Sequence, residues 1–408
     1  MLVVRGGITN NVAPNSPETL SAPCPVVRGG TNGGRRDVVK TTPPPHVWAA
    51  ESCRCCEDGE MTTERTEVRQ EDVFDVPAVA EWLDAEVGIG GVPTVEQYRG
   101  GASNLTYLLG YPDGSLILRR PPEGAKARGA HDMVREYTVQ SRLGPVFPYV
   151  PRMIALCVDE SVIGTQFYIM ERVSGVTLRA ALPDGYSLSR LDAGELASVF
   201  VDRLVDLHRI DPHAAGLSDL GRGDGYVARQ VRGWSDRYTN AMTPGAPDFK
   251  DVMSWLDRFQ PADVDSCVIH NDYRIDNFVL DDDLTKVRAV LDWEMATIGD
   301  PLMDVAGALA YWVQADDPPG MLAMRKQPSH LPGMPTREEI FEYYCLRMGL
   351  STGSWPFYEA FGTFRLAVIL QQIYYRYHLG QTTNPDFAGY GATVDYLHGR
   401  CQELISRA

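Results

Sequence analysis

The strongest constraint on the fold is a single change of hydrophobic period near Gly175. Before it, short runs rich in β-branched and aromatic residues ("VPTVEQY", "NLTYLLG", "SLILRR", "MIALCVD", "QFYIMER") are separated by turn signals such as "RGGAS" and "YPDG", the pattern of short strands. Two stretches there have helical spacing instead: Phe74 to Val87 and Ala130 to Leu143. After Gly175, "LASVFVDRLVDLHRI", "YVARQVRGWSDRY", "REEIFEYYCLRMG", "YEAFGTFRLAVILQQIYYRYHLG" and "ATVDYLHGRCQELI" are amphipathic at a period near 3.6. An α+β arrangement follows, with a β-rich lobe over 72–173, a larger helical lobe over 174–408, and a ligand seat at their seam. At 408 residues the chain is also too long for one simple core.

Residues 1–60 are Gly and Pro punctuation without apolar periodicity and read as a disordered extension. Met61 opens a conventional start, so the native protein is expected to begin there. The formal charge of −16 argues against nucleic acid, which needs clustered Lys and Arg. No apolar run reaches about 18 residues, so no membrane span is expected, and the first residues are too polar for a signal peptide. A cytoplasmic protein is the expectation. The cysteines of "SCRCCED" lack paired C-x-x-C spacing and read as incidental thiols.

The chemistry concentrates in "VIHNDYRIDNFVLDDDLTKVRAVLDWEMATIGDPLMDV", Val268 to Val305. His270, Asp272 and Asn277 share one loop, and "VRAVLD" reads as a strand ending on Asp292. Asn277 and Asp292 are two oxygen donors that suit Mg²⁺, which completes its octahedron with phosphates and water. Asp272 is left free to take a proton. "LDDDLTK" reads as a hairpin tip, and "GDPLMD" as a helix start with Asp300 at the N-cap and Pro301 at the first helical position.

"HNDYRIDN" followed by "LDWE" resembles the catalytic loop and metal-binding aspartate of the aminoglycoside phosphotransferase and choline kinase-like family, relatives of protein kinases. The run "AVLDWEMATIGDPLMDVA" is similar to the branch containing the kinase-like domain of acyl-CoA dehydrogenase fusions and bacterial phosphotransferases. The likeness extends from about Trp82 to the C-terminus. It implies a two-lobe protein kinase-like fold with ATP and Mg²⁺, Asp272 as base for an acceptor hydroxyl, and Asn277 and Asp292 as Mg²⁺ ligands. His270 becomes a loop organiser or a buried histidine bonded to backbone, and Asp300 or Asp304 a brace for the loop.

On the nucleotide side, "YRGGASNLTYLL" places Gly101, Ala102, Ser103 and Asn104 between strands, small residues that let backbone N–H groups reach phosphate oxygens. The resemblance puts Arg119 where kinases carry a strand lysine, with Glu136 as its helix partner; the lesser alternative is that both are surface charges on their elements. "FYIMERVSG" resembles the interlobe hinge, with Met170 behind an adenine and the Glu171 carbonyl and Val173 N–H on its edge.

For the acceptor, the resemblance points to Arg229, Gln230, Trp234, Arg365, Gln372 and Arg376, each of which could also be ordinary helix surface or core. Three arginines favour an anionic acceptor such as a hydroxyacyl-CoA over a polycationic aminoglycoside. Two rival classes are a nucleotide-binding pseudokinase, for which the Arg119 departure speaks, and a non-haem iron oxygenase using "HND", which would need a β-barrel. The oligomeric state is not legible in the chain.

Overall fold

The computed structural model describes residues 65–98, 104–122 and 132–408. The extension 1–60 and the expected phosphate-loop residues Gly101, Ala102 and Ser103 lie outside them.

In chain order the elements open with β1 (Arg65–Thr66), α1 (Val76–Val87), β2 (Thr94–Tyr98), β3 (Leu105–Tyr111), β4 (Gly114–Arg120), α2 (Met133–Leu143), β5 (Met153–Cys157) and β6 (Phe167–Glu171). The six strands form one antiparallel sheet in the order β1-β2-β3-β4-β6-β5. Its strand alternation decides which arginine points where: on β4, Arg120 is buried against the Tyr107 hydroxyl and the Asp72 carbonyl, so the adjacent Arg119 faces the opposite side. Helix α1 starts on an Asp75 N-cap and stops at Gly88 in the left-handed conformation.

Gly175 marks the crossing into the helical region for a steric reason. Val176 and Leu280 exchange backbone hydrogen bonds there at 2.9 Å, and a Cβ on Gly175 would lie 2.1 Å from the Leu280 oxygen. The period change in sequence therefore coincides with a point where only glycine fits.

Beyond it come α3 (Arg190–His208), α4 (Tyr226–Asn240), α5 (Lys250–Phe259), β7 (Cys267–Ile269), β8 (Phe278–Leu280), β9 (Val287–Val290), β10 (Thr297–Gly299), α6 (Pro301–Leu309), α7 (Pro319–Leu322), α8 (Arg337–Met348), α9 (Trp355–His378) and α10 (Tyr390–Arg407). Ser189 with Asp192, and Thr336 with Glu339, form capping boxes at the starts of α3 and α8. The core joins helices to the small strands: Phe200 on α3 contacts the rings of Tyr273, Phe278 and Trp312. Burying such a phenylalanine stabilises the fold by about 1.5–3 kcal/mol. No helix among the described residues is long and apolar enough to cross a membrane.

Candidate active site

The loop His270–Asn277 leaves β7 and is fixed by a buried carboxylate from α6. Asp304 accepts the His270 N–H at 2.7 Å and the Asn271 N–H at 2.8 Å. On its other side Asp304 takes a bond from His208 Nε2 at 3.1 Å, whose Nδ1 meets the Tyr344 hydroxyl at 2.6 Å. Burial alone would raise the Asp304 carboxyl, but the His208 hydrogen bond and charge hold it below its ordinary range. Asn271 has φ 65, an uncommon conformation for a residue other than glycine.

His270 has no exposed surface, and its bonds assign its tautomer. Nε2 lies 3.0 Å from the Leu291 carbonyl, so it must donate, while Nδ1 accepts the Asp272 N–H at 3.2 Å. Both ring nitrogens of a neutral imidazole are thereby used. No lone pair remains for a metal, which removes the iron-oxygenase reading.

Asp272 is partly exposed, and its backbone carbonyl accepts from the Asn277 amide nitrogen at 2.9 Å. That same nitrogen lies 3.4 Å from the Asp272 carboxylate. Arg274 Nε sits 3.5 Å from Asp272 and 3.2 Å from Asp276, with its guanidinium 4.7 Å from the Tyr311 ring centre. With its nitrogen committed to Asp272, Asn277 has its carbonyl oxygen as the group to offer a cation.

Asp292 is brought alongside by strand register. Phe278 pairs with Val290 in the β8–β9 ladder, and the Leu291 N–H donates to the Asn277 carbonyl at 2.8 Å. Asp292 follows at φ 69. The turn lets the next residue, Trp293, drop into the core against His270, with ring centres 4.6 Å apart, and donate to the Val290 carbonyl. Backbone in this region is uncommon for aspartate and is kept where the surroundings over-determine it.

Arg119 comes across from β4. Its guanidinium lies 2.5 Å from Asp292, 3.3 Å from Glu136 on α2 and 3.6 Å from Glu294. Burial would raise the Asp292 carboxyl, yet the Arg119 charge and hydrogen bond keep it below its ordinary value. Burial wins at Glu136, which is pushed up despite Arg119. One positive group thus faces three carboxylates. No group of three or more His, Cys, Asp and Glu able to hold a metal occurs among the described residues. The Asn277 carbonyl oxygen and the Asp292 carboxylate are hard oxygen donors of the kind that Mg²⁺ takes alongside phosphate and water.

Two contributors were not anticipated. Glu294 accepts from Asn104 at 3.0 Å, tying the residue after the glycine loop to the Asp292 segment, and Asn104 also reaches Glu136 at 3.4 Å. Arg135 on α2 donates to the carbonyls of Glu294 and Ala296. Glu294 stands two residues after Asp292 in "LDWE", and that spacing was the available signal.

Other candidates are placed less centrally. Met170 is buried opposite Ile117. Glu171 pairs with Arg152, accepting its N–H at 2.8 Å, and Val173 is half-buried just beyond β6. Arg229 turns back to the carbonyls of Gly223 and Asp224 at the start of α4, and Gln230 accepts the Trp234 indole N–H. Arg365 reaches the loop His270–Asn277, donating to the Asn271 carbonyl at 2.7 Å, and lies over Trp234. Gln372 is half-buried, and Arg376 is exposed near the end of α9, so Arg376 is not gathered with Arg365. A cavity of about 330 Å³ lined by Gln314, Arg337, Trp355, Glu359 and Arg400 shares no residue with this loop.

A family model described as the phosphotransferase enzyme family matches residues 94–340. Acyl-CoA dehydrogenase family member 11 of Rattus norvegicus is 34% identical over 341 residues, covering 80% of this chain and 43% of the relative. Acyl-CoA dehydrogenase family member 10 of Mus musculus is 34% identical over 321 residues, covering 78% of this chain and 30% of the relative. The chain thus spans less than half the length of these relatives. A crystal structure from Ralstonia eutropha, provisionally assigned as an aminoglycoside phosphotransferase, is 31% identical with TM-score 0.70, covering 82% of this chain and 99% of that one. A thermostable mutant of aminoglycoside phosphotransferase APH(4)-Ia, in ternary complex with AMP-PNP and hygromycin B, is 15% identical with TM-score 0.51, covering 81% and 98%. It shares the kinase-like fold.

Proposed function

The chain belongs to the phosphotransferase enzyme family and is a small-molecule kinase, and from that premise we propose that it moves the γ-phosphoryl group of ATP, with Mg²⁺, to a hydroxyl of an acyl-CoA-like acceptor. The observation that carries this reading is the β8–β9 register, which sets Asn277 beside Leu291 and Asp292 while the Asn277 amide nitrogen holds Asp272.

Asn277 and Asp292 would hold Mg²⁺, which, when bound, neutralises charge on the transferring phosphoryl group. The rest falls to the chain itself. Asp272 accepts the proton of the acceptor hydroxyl as its oxygen bonds phosphorus and the bond to the ADP oxygen breaks. Asp304 keeps the loop backbone still, and positioning matters most where the transition state is loose. Arg119, held by Glu136 as well as Asp292, would supply positive charge to phosphate oxygens beside the cation that Asp292 would hold. Met170, Glu171 and Val173 would frame the adenine; the phosphate-loop residues Gly101, Ala102 and Ser103 lie outside the described residues.

The acyl-CoA class is supported by the names of the relatives and by Arg365 of α9, which donates to the Asn271 carbonyl of the loop; an aminoglycoside or amino alcohol is the alternative. Steady-state assays with ATP, Mg²⁺ and a panel of hydroxylated acyl-CoAs, amino alcohols and aminoglycosides test it. Asp272→Asn is expected to lower turnover roughly 10² to 10⁴-fold while nucleotide still raises the melting temperature. Full activity in that variant would reject Asp272 as base, and nucleotide binding without transfer to any acceptor would favour the pseudokinase.

A further inference from the structure

Between α7 and α8 the chain has no regular structure over 323–336, yet one polar side chain in this segment, Gln327, has no exposed surface. Both ends of its amide are spent. Oε1 accepts the Ile275 N–H at 2.8 Å, and Nε2 donates to the Tyr311 carbonyl at 3.1 Å. Ile275 lies between Asp272, the proposed base, and Asn277, the proposed Mg²⁺ ligand. Asp304 holds the first half of this loop through the His270 and Asn271 N–H groups. The second half is held from a residue 52 positions further along the chain.

Tyr311 gives the same amide a second route to Asp272. The Arg274 guanidinium lies 4.7 Å from the Tyr311 ring centre, and Arg274 Nε stands 3.5 Å from Asp272 and 3.2 Å from Asp276. Gln327 therefore fixes both the loop backbone and the backbone of the residue that seats Arg274 beside the proposed base. The segment that delivers it is itself tied down. Ser329 Oγ donates to the Val313 carbonyl at 2.9 Å, the Trp312 indole N–H to the Pro335 carbonyl at 2.9 Å, and Arg337 to the Trp312 carbonyl at 2.8 Å. A buried N–H needs an acceptor, and a carboxylate would supply one; the Tyr311 carbonyl needs a donor as well, which an ionised carboxylate lacks.

We propose that Gln327 is a positioning residue for phosphoryl transfer, acting through the Ile275 N–H and Tyr311 to hold Asp272 in place against Asn277 and Asp292. The inference rests on the kinase reading and adds a residue to it. Misplacing a reacting group by about 1 Å costs roughly 10²-fold in rate, so loss of this anchor belongs in kcat.

The test uses the full chain with Mg²⁺ and ATP, water serving as acceptor. Gln327→Leu is expected to lower kcat roughly tenfold or more, with KM for ATP changed by less than about twofold. Gln327→Glu separates positioning from stability. Protonated, the new carboxyl accepts from Ile275 and donates to Tyr311 as the amide does; ionised, it meets the Tyr311 carbonyl without a proton. Burial raises the pKa of such a group, so kcat relative to wild type is expected near unity at about pH 5.5 and roughly tenfold lower by about pH 8. Hydrogen exchange in a peptide spanning 270–277 should match wild type at the lower pH and quicken at the higher. The control is Gln371→Glu on α9, where Gln371 is 1% exposed and bonds the Ala241 carbonyl and the Thr243 hydroxyl; it should melt earlier and keep a level ratio. A Gln327→Glu ratio as level as the control overturns the proposal, as does a Gln327→Leu protein that melts earlier but keeps its kcat. If Gln327→Leu does not fold, the Gln327→Glu profile decides. A wild type that turns over no ATP with water or any acceptor sinks the kinase reading instead, and the exchange measurement still decides whether Gln327 holds the loop.

Discussion

At the residue scale, buried groups set the geometry of the loop that carries Asp272, the proposed base. Asp304 spends both oxygens on the loop backbone, and His270 spends both nitrogens, so neither is left for chemistry. Asp300 has a different consequence. It caps α6, accepting the Met303 and Val264 N–H groups, but burial pushes its carboxyl up to about 6. A raised folded value means its protonated form is favoured: its contribution to stability is full below about 4 and is lost as pH rises through about 6. Two pH units correspond to at most about 3 kcal/mol. Urea unfolding between pH 4 and 8 should show Asp300→Asn with a flatter profile across that window than wild type, and superimposable slopes would refute the assignment. The residues His270, Asp272, Asn277 and Asp292 were legible because their spacing alone marks the loop; Asp304 was legible only as a helix-start acid, since its two bonds to the loop cross 33 and 34 residues of chain.

Among elements, the periodic helices and the hairpin at Asp281–Asp283 stand where alternation and turn chemistry placed them, whereas α5 was missed. Val252, Trp255, Leu256 and Phe259 recur at helical spacing, so the signal was present in the sequence, although only Val252 and Leu256 of its ten residues are buried. Helix α9 shows what periodicity cannot report. Gly362 lies where a Cβ would stand 2.3 Å from the Ala306 carbonyl oxygen of α6. Alanine would gain about 1 kcal/mol of helix propensity but must displace that backbone, so Gly362→Ala should cost a net 1–3 kcal/mol, roughly the range for overpacking. Gly399 on α10 has nothing within 4 Å of such a Cβ, and Gly399→Ala should instead stabilise by about 0.5–1 kcal/mol. Denaturant midpoints of the two variants are expected to move in opposite directions; a shared direction would mean that the close approach of α6 and α9 is not tight.

For the whole molecule, the site depends on groups from the sheet region holding the segment Asp292–Ala296. Arg119 from β4, Arg135 from α2 and Asn104 after the glycine loop all bind it. Arg135→Ala removes two hydrogen bonds, worth together about 2 kcal/mol, and hydrogen exchange in a peptide spanning 291–297 should quicken roughly thirtyfold with nucleotide affinity weakened; unchanged exchange would show the contact to be incidental. What the amino-acid order determined by itself was local: two hydrophobic periods, the caps, and a motif whose donors lie within 23 residues of one another. Tertiary structure alone decided that Arg119 would rest on Asp292 as well as Glu136, that Glu294 would join it, and that Gln327 would meet the Ile275 backbone. Such contacts join elements far apart in the chain, and their geometry arises from packing and sheet register, which no short window of residues encodes.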